Sequence, residues 1–196
     1  MILSRFILLS LYVLTFSFTN TDSVIGKTSV VITPDSSFSL KGSSNVNSFS
    51  CTFNVEKINN PIDVTYHVYG DKISFSNTKL VLDNSYFDCG HNKINDDLNE
   101  LLKSEKYPKI FIYLKEFSSD KNESKVNTII DIEIAGIRKT YNIPIQVDNS
   151  NNNMQISGNL NVNLSDYKLQ APKKLFGLIR VEDTIEINFN LSVRED

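Results

Sequence analysis

Cys51, His67, Cys89 and His91 are the only cysteines and histidines in the chain, and together they could suggest a metal site. Structural zinc sites draw on tightly spaced ligand pairs. This set lacks such spacing, and His67 falls on the polar side of an alternating run, so no metal is expected. Serines are plentiful, but with two histidines and no Gly-x-Ser-x-Gly elbow a Ser-His triad has little support. The adjacent carboxylates Asp96-Asp97 and Glu182-Asp183 lie in polar stretches, where solvated charge is the default. No glycine-rich phosphate loop is present. The expectation is a protein that is not an enzyme and needs no cofactor.

Cys51 and Cys89 gain a simpler role if the chain is exported. Arg5 precedes an apolar run from Phe6 to Phe18, followed by Thr19, Asn20, Thr21, Asp22 and Ser23. A short charged region before an apolar stretch is the layout of a secretory leader. The stretch is short for a membrane helix, which needs about 20 apolar residues. The expected organisation is a leader over residues 1–22, cut between Ser17 and Ser23, and one domain over residues 23–196. An uncleaved anchor is the alternative. In the periplasm or outside the cell two cysteines usually pair as a disulfide; two buried thiols are the other option.

A chain of 196 residues with net charge -3 has no basic block, which argues against nucleic acid and against strong adhesion to an anionic membrane. It is long enough to bury a sizeable core.

Any function must then be positioned by strands, because the dominant period is two. Val126, Thr128, Ile130, Ile132 and Ile134 take alternate positions. After Ala135-Gly136 the parity flips, and Ile137, Tyr141, Ile143, Ile145 and Val147 share the other phase, which reads as a hairpin. Pro144 donates no backbone hydrogen bond and should sit at a bulge or face an edge. Similar alternation runs through 49–55, 62–68, 154–164 and 185–193, and a parity slip near Asn77-Thr78 suggests a bulge. One segment differs: Ile94, Leu98, Leu101 and Leu102 form a helical stripe, with Asn95 as the expected cap and Pro108 as the stop. A short helical turn is expected over Leu164 to Lys168.

About eight to ten strands, each apolar on one face, must stack as a sandwich or close as a barrel. Long hairpin-joined strands with a single helix favour the barrel, so the fold class is all-β: an antiparallel barrel of about eight strands with one inserted α-helix.

Four stretches, in order, resemble one family. The first is Ser39-Leu40-Lys41-Gly42-Ser43-Ser44-Asn45-Val46-Asn47, running on to Cys51. The second is Asp88-Cys89-Gly90, leading through the helical segment to Tyr107-Pro108-Lys109-Ile110. The third is Ile134-Ala135-Gly136-Ile137-Arg138, running on to Pro144-Ile145, and the fourth is Gly158-Asn159-Leu160 through Tyr167. The sequence is similar to the YceI-like family of bacterial exported proteins. The resemblance implies a lipocalin-like barrel, periplasmic or secreted, that holds a polyisoprenoid chain. The family's late "LDRxxFG" is replaced here by Leu164-Ser165-Asp166-Tyr167, and its early "HS" by Ser36-Ser37, which marks a divergent branch.

An apolar tail needs only a preformed apolar channel with a few polar groups at its mouth. The inward-facing candidates to line it are Val64, Tyr66, Phe75, Ile130, Ile132, Tyr141, Ile143, Leu160, Ile187 and Phe189. The expected partner is therefore a long-chain apolar lipid of isoprenoid type, with no nucleic acid and no membrane span in the mature chain; a homodimer is compatible with this. The rival expectation is an interaction module with a filled core, working through its outer face or the loops near 120–125 and 149–153.

Overall fold

The computed structural model describes residues 24–119, 125–150, 153–170, 173–174 and 179–196; the expected leader lies outside them. In chain order the strands are β1 (Val24–Ile32), β2 (Ser37–Ser43), β3 (Ser48–Phe53), β4 (Ile62–Tyr69), β5 (Lys72–Ser76), β6 (Lys79–Asp83) and β7 (Phe87–Asp88). Helix α1 (Asn92–Leu101) follows. Then come β8 (Lys109–Ser119), β9 (Lys125–Ile134), β10 (Ile137–Ser150), β11 (Asn153–Asn163), the short pair β12 (Lys173–Lys174) and β13 (Ile179–Arg180), and β14 (Thr184–Glu195).

Eight strands close a ring in the order β1-β4-β5-β8-β9-β10-β11-β14, and the pairing of β1 with β14 completes it. Each of these pairings is antiparallel. The tightest connection is the β9–β10 hairpin. Ile134 pairs with Ile137 across Ala135 and Gly136, both at positive φ (49° and 77°). Two left-handed residues match the twist of the flanking strands, which is why a glycine serves there.

Two long strands each keep a pair of shorter neighbours on one edge. Along β14, the upper end pairs with β1 and the lower with β2. At the corner between them the Ser192 amide donates to Ser36 Oγ (2.9 Å) and the Thr33 amide to Ser192 O (2.8 Å). Along β8, residues 116–118 pair with β5 and residues 109–113 with β6. The parity slip near Asn77 is thus a break between two strands, with Asn77 at φ 60°. The bulge itself falls opposite, in β8, between Leu114 and Glu116.

The ring is complete only at its upper end. There β10 meets β11 from Gln146 onward, whereas Ile137–Ile145 pair with β9 alone. Pro144 sits in that half-paired stretch, where its other edge has no strand to serve. The gap is filled by a 3-10 turn, Leu164–Tyr167, which buries Leu164 and Tyr167 and leaves through Lys168 at φ 53°.

Helix α1 lies across the same lower end. Leu98, Leu101 and the following Leu102 pack on the core. Asn84 ties its exit in place, its amide donating to Ser104 Oγ and Tyr107 O (both 2.9 Å). The helix begins earlier than its stripe implied. His91 is the cap, its Nδ1 accepting from the Lys93 amide, and Asn95 instead accepts from the Cys89 amide (2.7 Å). The helix also ends before Pro108, at Leu101, with Lys103 at φ 54°. Cys51 and Cys89 form a disulfide that joins β3 to the segment leading into α1.

Candidate functional site

The inward residues of the ring, and of the strands and turn packed against it, behave differently above and below one level. Below it they fill the interior. Leu40, Cys51, Phe53, Leu82, Phe87, Ile110, Ile134, Tyr167 and Ile185 are all buried in one cluster. Above it they surround a cavity of about 760 Å³.

The boundary crosses successive strands at neighbouring inward positions. On β9, Ile132 lines the cavity and Ile134 does not; on β14 the pair is Ile187 and Ile185; on β11 it is Leu160 and Val162. On β2 and β6 the lining residues are Phe38 and Leu80, with Leu40 and Leu82 beneath. Phe38 rests edge-on against Phe53 and Phe87, with ring centroids 6.5 and 6.2 Å away. That aromatic cluster lies under the cavity. The void is therefore blind at its lower end.

It opens at the other end, between the β10–β11 hairpin and the last residues of β14. The exposed residues Asn149, Met154, Arg194 and Glu195 line it there, together with Asn153 and Thr28. Thr28 donates its hydroxyl to the Glu195 carboxylate. Below this rim the wall is almost wholly apolar. Thr78 Oγ1 accepts from the Thr65 amide (3.3 Å), and Thr128 Oγ1 is buried without a partner. Lys79 contributes its stem, while its ammonium lies 5.7 Å from the centroid of the outward Phe111 ring. Such a chamber can hold an uncharged, water-poor molecule. A buried charge there would face a cost of several kcal/mol with no partner to offset it.

Of the candidate liners, Val64, Phe75, Ile130, Ile132, Ile143, Leu160, Ile187 and Phe189 stand in the cavity wall. Tyr66 and Tyr141 do not. Tyr66 is on the inward phase of β4 but lies flat against β1, over its cross-strand partner Gly26, where a Cβ would overlap the ring. Tyr141 belongs to the filled level, where it packs beside Tyr167 across the β10–β11 gap. Burial pushes both phenols up from their ordinary range, so they stay neutral. Alternation could not distinguish these cases, because it reports the face of a residue and not its height. It also missed Phe38, Leu114, Phe117 and Leu191 in the wall. Leu191 shared the phase of Ile187 and Phe189 and was legible to that extent, whereas no predicted liner lay on the strand of Phe38.

The potential metal ligands are dispersed. Cys51 and Cys89 are bonded to each other, His91 caps α1, and His67 stacks on Tyr69. Among the described residues no three His, Cys, Asp or Glu side chains converge. Among them, too, no helix is long and apolar enough to cross a membrane.

A closed antiparallel barrel with a blind apolar chamber belongs to the class of lipocalin-like β-barrels. Residues 31–193 match the profile of the YceI-like domain, and the chain belongs to that family. Burkholderia cenocepacia BcnA has the same fold, with a TM-score of 0.62 and 20% identity over 81% of this chain and 95% of its own. A second structure, described as a polyisoprenoid binding domain from Saccharophagus degradans implicated in plant cell wall breakdown, has a TM-score of 0.63. It is 12% identical over 86% of this chain and 99% of its own. At these identities the likeness establishes the fold. No curated protein matches the sequence.

Proposed function

We propose that this protein binds a single long apolar lipid, a polyisoprenoid chain, and carries or buffers it without chemical change outside the cytoplasm. The observation that carries this reading is the chamber of about 760 Å³ with an apolar wall and one open end. The rival of a solid core fits only the lower half of the barrel, where side chains do fill the interior. Each buried methylene contributes about 0.8 kcal/mol, so affinity would come from chain length more than from specific contacts. Because the floor is closed, the apolar end enters first and a polar end stays at the rim beside Asn149, Asn153 and Arg194. The Saccharophagus relative's description as a polyisoprenoid binding domain supports the same ligand class. The Cys51–Cys89 disulfide supports an oxidising compartment, such as the periplasm or the exterior.

Native mass spectrometry of the purified protein, followed by solvent extraction, tests this. The expected result is a bound species whose extracted mass corresponds to an apolar chain. A protein that carries none, and that neither takes up added prenol nor displaces a fluorescent apolar probe, would overturn the reading.

A further inference from the structure

We propose that the floor of the chamber is a chain-length ruler, with Phe38 setting its depth. This rests on the lipid-binding reading and adds a limit to it. The floor is a continuous level, since on β2, β6, β9, β11 and β14 alike the last lining residue is followed by a buried inward neighbour. Phe38 is the lining residue whose ring is braced from beneath, by the rings of Phe53 and Phe87. It is buried and cannot tip away without displacing them.

The volume fixes the scale. At about 30 Å³ per heavy atom, the share of a water-sized group in a liquid, the chamber of about 760 Å³ holds roughly 25 carbons. That is on the order of five isoprene units, which sets the scale of the chain the chamber takes from its open rim to the floor. Every unit up to that length exchanges water for apolar wall. Every further unit stays above the rim, where it gains nothing and exposes apolar surface. A break in the dependence of affinity on chain length, near this length, therefore follows from geometry alone.

The test offers the full-length protein an equimolar mixture of linear prenols, from about three to about eight isoprene units, and reads the bound lengths by native mass spectrometry. Bound abundance should rise up to about five units and be flat or falling beyond. Phe38→Ala removes six ring carbons, close to one unit, and should move the break up by about one unit. Leu160→Phe extends a side chain at the floor and should move it down by a similar step. Phe38→Leu makes a smaller change in the same direction as Phe38→Ala and remains informative if the alanine variant fails to fold. A break that is absent, or that stays put in all variants that fold, would overturn the ruler while leaving lipid binding intact. Failure to bind a prenol of any length would instead overturn the lipid-binding reading on which the ruler rests.

Discussion

Replacing Cys89 by Ala isolates the contribution of the disulfide from that of packing. Cys89 is only half-buried, whereas Cys51 is 1% exposed and would keep its packed position as a free thiol. The bond spans a sequence separation of 38, a loop that contains β4, β5 and β6 and thus much of one side of the barrel. Opening a loop of that size restores unfolded-state entropy worth about 4 kcal/mol at 25 °C. The native state has little to offset this loss, since β3 and β7 share only two residue pairs. With a urea m-value of about 2 kcal/mol per molar, the unfolding midpoint should fall by about 2 M. The slope should also rise, because the uncrosslinked chain exposes more surface when unfolded. Circular dichroism is the natural probe in a protein without tryptophan. Adding reductant to the parent should reproduce the shift, and adding it to the variant should change nothing. A midpoint within about 0.3 M of the parent would refute the argument, as would a reductant effect that persists in the variant.

Gly158→Ala should impair ligand retention more than stability. A Cβ there would stand 2.8 Å from Phe189 Cζ and 3.3 Å from Ile145 Cγ2, so the Phe189 ring must turn into the lumen. About tenfold weaker prenol binding is expected, with a melting temperature within a few degrees of the parent, since alanine recovers roughly 0.5–1 kcal/mol of glycine's entropic cost. Unchanged binding would count against Phe189 as a wall residue. Ile132→Ala removes a fully buried side chain at the floor. It should cost about 2–3 kcal/mol in the ligand-free protein, read by urea unfolding, with part of the loss recovered when a ligand fills the space. A loss below about 0.5 kcal/mol would show that the floor is loosely packed. The Asp88 carboxylate is held below its ordinary range, first by the Gly90 amide and then by the Asn95 side chain. Its contribution to stability is therefore present above about pH 4 and is lost as pH falls through the lower, folded midpoint. A carboxyl NMR titration should show that midpoint rising partway in Asn95→Ala; identical midpoints would refute the assignment.

Much of the architecture is written locally. The alternation in 126–134 and 137–147 set the inward faces of β9 and β10, and Ala135-Gly136 marked their turn, because face and turn geometry depend on a few neighbouring residues. The stripe of Leu98, Leu101 and Leu102 likewise announced helix α1. Its cap was expected at Asn95 and is His91, because several polar residues there can serve and the Asn95 side chain accepts from the Cys89 amide instead.

What only the tertiary structure decided is height along the barrel. Ile187 and Ile185 share a strand, a face and a side chain, yet one lines the chamber and the other lies in the filled core beneath it. The difference comes from Tyr167, Phe53 and Phe87, which the chain brings under the chamber from distant segments. Tyr66 is diverted in the same non-local way, by an absent side chain at Gly26 on the neighbouring strand. A residue's own position in an alternating run thus determined which way it points. Whether it meets a void or a neighbour depended on the width of the closed ring and on what the rest of the chain places inside it, and neither is encoded within a single strand.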